Sequence, residues 1–117
     1  MARDQLFLLK PDFMAGPRGP CYCPACAMLE GVLAFYPQLR KSLDIHYVDF
    51  PRPRAAVIAA VGAENQGLPL LVVAPDPLAE LALAGLDVRE WEGRRFLRGP
   101  GDMGRYLARR YGSGEPH

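Results

Sequence analysis

Cys21-Tyr22-Cys23-Pro24-Ala25-Cys26 gathers every cysteine of the chain into six residues, and a run with helical spacing begins directly behind it. Met28, Leu29, Val32, Leu33 and Tyr36 fall on one face of a 3.6-residue period, which predicts a helix to about Tyr36 and puts the cysteines at its N-terminus. The first turn of a helix carries unpaired N–H groups and the positive end of the macrodipole, and both favour an anion such as a thiolate. With Cys23 as the N-cap, Pro24 takes the first helical position, where its fixed φ fits and its missing N–H costs little. Cys26 follows at i+3, so the two sulfurs share one side of the turn and lie within reach of a disulfide. Cys23 is expected to be the exposed, attacking thiol with a lowered pKa, and Cys26 the resolving one. Cys21 reads either as an accessory thiol or as an incidental exposed cysteine.

Composition sets the surroundings of that motif. A chain of 117 residues with a 50% hydrophobic fraction is one domain able to bury an adequate core. Its 12 glycines and 12 prolines punctuate apolar segments instead of clustering, which implies turns rather than disorder. A net charge of +1 gives no broad reason to expect nucleic acid or an acidic membrane as a partner. Leu6-Phe7-Leu8-Leu9, closed by Lys10-Pro11, is too short for a signal-peptide core, and no stretch approaches the roughly 20 apolar residues of a membrane span. An odd number of cysteines packed locally suits a reducing, cytoplasmic setting better than a secreted disulfide framework.

Outward from the cysteines, Gln5 to Leu9 reads as a buried strand, and Pro11 to Pro20 as an irregular connection. Pro37 ends the first helix, Leu39 and Leu43 continue a weaker helical pattern, and Ile45 to Phe50 forms a strand apolar enough on both faces to lie inside a sheet. A short helix from Ala55 to Val61 stops at Gly62. Pro69 can occupy only the first position of the strand that follows, through Val73, because it cannot donate to the ladder. Asp76 to Asp87 reads as a short helix or a packed loop. A turn at Glu92-Gly93 precedes a last strand, Arg94 to Leu97. Asp102 is placed to cap a final helix through Tyr111, and the tail from Gly112 is expected to fray. The fold class is thus α/β, βαβαββα, with a mixed four-stranded sheet flanked by helices. The first two crossovers require parallel strands and the last two strands can pair antiparallel.

This succession, with Cys23-Pro24-Ala25-Cys26 after the first strand and Leu68-Pro69 opening the third, resembles the thioredoxin-like superfamily, and glutaredoxins most closely within it. The whole chain is also similar to an uncharacterised bacterial family of that superfamily. The resemblance implies a cis peptide at Leu68-Pro69, with the Leu68 backbone presented to the substrate's cysteine. It implies that Lys10, leaving the first strand, contacts a carboxylate of glutathione. It further implies that Gly99-Pro100-Gly101-Asp102, a relative of a Gly-Gly-x-Asp turn, binds the γ-glutamyl end, with Gly101 and Asp102 as contacts. A cation and a helix N-terminus both suit such carboxylates. Two features depart from a minimal glutaredoxin: the twelve-residue loop from Pro11 to Tyr22, and the insertion from Pro75 to Trp91.

The leading expectation is therefore a thiol–disulfide oxidoreductase without a resident cofactor, acting on a protein or small-molecule disulfide, with glutathione as candidate co-substrate. Ala25 supplies no charge or proton donor, so only a moderate reduction potential is expected. Two other classes compete. Cys21, Cys23 and Cys26 could hold zinc or an iron–sulfur cluster with His46 or an outside group as fourth ligand, although such sites normally join two separated ligand pairs. Alternatively the fold is a non-catalytic binding module with its partner beside Pro69. The bland readings are a packed or surface His46, a core or surface-covering Trp91, an ordinary surface Lys10 and an Asp102 that only caps.

Overall fold

Leu70-Leu71-Val72-Val73 carries no polar side chain on either face, and a strand of that kind belongs inside a sheet. In the computed structural model, which describes residues 2–117, this segment is β5 (Leu70–Val73), buried at every position and central in a mixed five-stranded sheet. The other strands are β1 (Gln5–Leu9), β4 (Asp44–Val48), β6 (Val88–Trp91) and β7 (Arg94–Leu97), in the order β4-β1-β5-β7-β6. A separate two-stranded ribbon joins β2 (Phe13–Met14) to β3 (Pro20–Cys21). The helices are α1 (Pro24–Phe35), α2 (Leu39–Ser42), α3 (Ala55–Val61), α4 (Pro77–Ala82) and α5 (Pro100–Tyr111). Among the described residues, no helix is long and apolar enough to cross a membrane.

Alternation along β1 divides the core. Leu6 and Leu8 point to one face, against Leu29 and Leu33 of α1, Ala79 and Ala82 of α4, and Met103, Tyr106 and Leu107 of α5. Phe7 points to the other, with Val57 and Val61 of α3, Leu70, Val72 and Phe96. Val61 is followed by Gly62 at φ 88°, where an added Cβ would lie 2.6 Å from Trp91 Nε1, so the helix stop and the seat of Trp91 are the same residue.

The sheet differs from expectation in three respects. There are five strands rather than four, because Val88–Trp91, within what reads as an insertion, pairs antiparallel with β7 through the Glu92-Gly93 turn. The second crossover is not parallel: β1 pairs parallel with β4 but antiparallel with β5. The connection through α3 doubles back, since Arg54 at its start and Gln66 near its end hydrogen-bond each other, so the chain enters β5 at the end of the sheet where it left β4. Finally, β4 is an edge strand and not an interior one, with His46 and Tyr47 exposed.

Both ends of α5 also differ. Gly99 is its N-cap and Pro100 its first residue, so Asp102 sits inside the first turn instead of capping it. The tail does not fray: Ser113 is buried, and Pro116 packs so closely on Gly104 that a Cβ there would lie 2.6 Å from its ring. The C-terminal half of α5 is tied to the start of the sheet by the buried carboxylate of Asp4. It accepts the Ala74 N–H at 2.7 Å and the hydroxyls of Tyr106 and Tyr111 at 2.5 and 2.6 Å.

Candidate functional site

The start of α1 follows the sequence closely. Cys23 is the N-cap, in extended conformation at φ −83° and ψ 114°, and Pro24 is the first helical residue. The Cys23 sulfur accepts the Cys26 N–H at 3.2 Å, so it fills the role usually taken by a serine or aspartate oxygen. The first turn of a helix offers unpaired N–H groups to whatever acceptor stands in that place. Cys23 is half-buried and reachable, whereas Cys26 is 3% exposed and belongs to the core stripe Cys26, Leu29 and Leu33. The buried face of α1 is therefore rotated from the expected one, leaving Met28 exposed.

The two sulfurs are chemically unlike. Burial, followed by a hydrogen bond to the Cys23 side chain, raises the Cys26 thiol from 9.0 to about 12, although the Leu9 N–H, 3.5 Å from its sulfur, works the other way. Cys26 is thus a thiol near neutrality, held beside the capping sulfur of Cys23. No disulfide joins the three cysteines.

Residues from the return loop complete this end of the sheet. The Leu68-Pro69 peptide is cis, and the Leu68 carbonyl faces Cys23 Sγ at 3.9 Å. Beside the sulfurs, Leu9, Tyr22, Cys23, Cys26, Glu30 and Tyr47 line a mostly apolar cleft of about 380 Å³. Its far wall is fixed by polar contacts, with the Tyr47 hydroxyl donating to Glu30 and Arg40 reaching both groups at 3.2 Å. The connection from Pro11 to Tyr22 forms a small flap, its two strands in register Phe13↔Cys21 and Met14↔Pro20. Phe13 stacks on Phe50 at 4.3 Å and anchors it.

The remaining expected site residues are distributed differently. Lys10 continues the β1–β4 ladder through its backbone, but its ammonium pairs with Asp49 at 3.0 Å, and Lys10 lines a depression that adjoins the cysteine cleft across Pro11 and Asp12. Gly101 and Asp102 lie in the first turn of α5. The Asp102 carboxylate accepts the Asp87 N–H at 3.0 Å and a guanidinium N–H of Arg105 at 3.2 Å, so it braces the loop before β6. Cys21 is half-buried in the flap, its thiol 3.4 Å from the Gly19 carbonyl. His46 stacks on Phe7 at 4.7 Å, on the sheet face opposite the Leu6 and Leu8 side against which Cys26 packs, so it is not placed to be a fourth ligand. Among the described residues no three His, Cys, Asp or Glu side chains gather in a group able to hold a metal. One residue of this region escaped the sequence reading altogether: Arg54, whose guanidinium is buried behind Phe50. Its only signal is a position beside Pro51-Arg52-Pro53, which marks a turn and not burial.

A family model described as "Protein of unknown function (DUF3088)" matches residues 3–115, and the chain belongs to that family. No curated protein and no solved structure matches it.

Proposed function

We propose that this member of the DUF3088 family is a thiol–disulfide oxidoreductase of thioredoxin-like architecture, with Cys23 as nucleophile and Cys26 as resolving thiol. The observation that carries the reading is the Cys23 sulfur itself, capping α1 through the Cys26 N–H and facing the Leu68 carbonyl beside cis Pro69. The βαβαββα succession supports it, since β1-α1-β4-α3-β5-β7-α5 remains once the flap, α2, α4 and the added edge strand β6 are set aside.

In the reaction, the Cys23 thiolate attacks one sulfur of a substrate disulfide, forming a Cys23–substrate disulfide and expelling the other sulfur as a thiolate. That leaving thiolate takes up the proton lost by Cys26. The Cys26 sulfur then attacks Cys23 Sγ, releases the second substrate sulfur as a thiolate and leaves a Cys23–Cys26 disulfide. Two electrons pass from the two cysteines to the substrate, and a thiol reductant of the glutathione class returns them. Holding Cys26 protonated until the mixed disulfide forms keeps it from competing as attacker. The substrate is a protein or small-molecule disulfide that fits an apolar cleft, in a cytoplasmic, reducing setting. Gly101 and the N–H groups at the start of α5 are available to a substrate anion, whereas Lys10 would first have to leave Asp49.

A Cys26→Ser variant tests this directly, because it forms the first bond and cannot break it. Mass spectrometry should find substrate held on Cys23, released by an added dithiol. An equal yield from Cys23→Ser, or none from either, would contradict the reading. Full cellular function in Cys23→Ala would point instead to a binding module.

A further inference from the structure

The cleft beside Cys23 continues past its own walls. Pro11 and Asp12 line both it and a neighbouring depression of about 410 Å³, whose other walls include Lys10, Met14, Asp49 and Phe50. The two hollows form one trough, with the sulfurs in one half, the flap strand β2 in the other and Asp12 on the ridge between them. Three of the seven large apolar side chains exposed among the described residues, Tyr22, Tyr47 and Met14, border this trough. Aromatic and methionine side chains of that kind are enriched where polypeptides meet, so the trough is suited to a peptide segment.

Its charges decide which segment. Lys10 is drawn to Asp49, and the two oxygens of Glu30 accept from Tyr47 and Arg40, so each of these acids already has its cation. Arg18, Arg52 and Arg54 line neither hollow. Asp12 is left. It is exposed, and among the described residues no cation lies within ion-pair distance of its carboxylate. Its backbone, at φ 63°, makes the left-handed turn by which the chain leaves β1 for the flap. The unbalanced charge of the trough is thus one carboxylate on the ridge beside the sulfurs. We propose that Asp12 is a specificity-determining residue, selecting a polypeptide disulfide with a lysine or arginine next to its cysteine, the apolar flanks of that segment lying on Tyr22, Tyr47 and Met14. The proposal rests on the reading of Cys23 as the attacking sulfur and adds no chemical step: two electrons pass from Cys23 and Cys26 to the peptide disulfide, as in the exchange above. Glutathione disulfide, which carries a net negative charge, is disfavoured by the same residue.

The test is single-turnover oxidation of the reduced protein by disulfide-linked dimers of one short peptide in which the residue beside the cysteine is Lys, Gln or Glu, read by acid quench and mass analysis. The lysine peptide should react about fivefold faster than the glutamine peptide, and the glutamate peptide more slowly than either. Asp12→Asn keeps a side chain tolerant of positive φ while removing the charge, and should bring the three rates together. Equal rates in wild type, or a lysine preference that survives in Asp12→Asn, would overturn the role of Asp12 and leave the redox reading standing. Failure of every peptide to oxidise Cys23 and Cys26 would overturn both. Should Asp12→Asn not fold, the wild-type rates at about 0.05 and about 0.5 M sodium chloride decide the matter. The lysine preference should fade toward parity at the higher salt, and a preference indifferent to salt would refute the role of the charge.

Discussion

Two sulfurs three residues apart differ because one ends a loop and the other starts a core. Cys23 takes the capping position that a short acceptor prefers, while Cys26 falls on the stripe that α1 presents to Leu6 and Leu8. Brief alkylation of the native protein at neutral pH should therefore label Cys23 and spare Cys26, with Cys26 reacting only after denaturation; peptide mapping of the reverse pattern would refute the division of roles. The motif and its capping geometry were legible because Cys-Pro-Ala-Cys before a helical period constrains the backbone locally. Arg54 was not, since burial of an arginine depends on Phe50 and Gln66 meeting across a loop, a contact that composition does not encode. Lys10 shows the converse: its position after β1 was read correctly, but Asp49 one strand away decides where its ammonium goes.

At the scale of elements, long periodic or continuously apolar segments were readable and short or mixed ones were not. β5 and α1 declare themselves, whereas Val88-Arg89-Glu90-Trp91 carries the polar residues of an edge strand, and the flap strands of two residues each are below any periodic signal. The direction of β5 was misread because it depends on the doubling back between Gly62 and Pro69, not on the strand itself. Gly62→Ala should cost about 2–4 kcal/mol, since it combines a strained φ of 88° with a collision at Trp91; an unchanged denaturation midpoint would sink that account. Asp4→Ala should cost about 3 kcal/mol by leaving an amide and two tyrosine hydroxyls without their acceptor, and Tyr111→Phe about 1 kcal/mol, as judged by urea unfolding. Equal losses in the two variants would show that Asp4 does not act as the shared acceptor.

The molecule as a whole should be sensitive to alkali. Burial lifts Cys26 from 9.0 to about 12, and burial followed by the hydrogen bond to Asp4 raises Tyr106 and Tyr111 above their ordinary 10.0. In each case the folded state holds a proton that the unfolded chain releases earlier, so the stability contributed is complete below about pH 9 and is lost as pH climbs toward 12. Wild type should lose stability over that range more steeply than Cys26→Ala or Tyr111→Phe, and parallel curves would contradict the linkage. The sheet brings the end of β1, the α1 start and the Leu68-Pro69 loop to one end of the molecule. The most direct measurement is equilibration of the wild-type protein in glutathione redox buffers, followed by alkylation and mass analysis. The account predicts a species lacking two hydrogens, with Cys23 and Cys26 joined and Cys21 still free, that forms and disappears reversibly with the buffer. A protein whose three thiols all remain alkylatable in the most oxidising buffer, or whose disulfide joins Cys21 instead of Cys26 to Cys23, would contradict it.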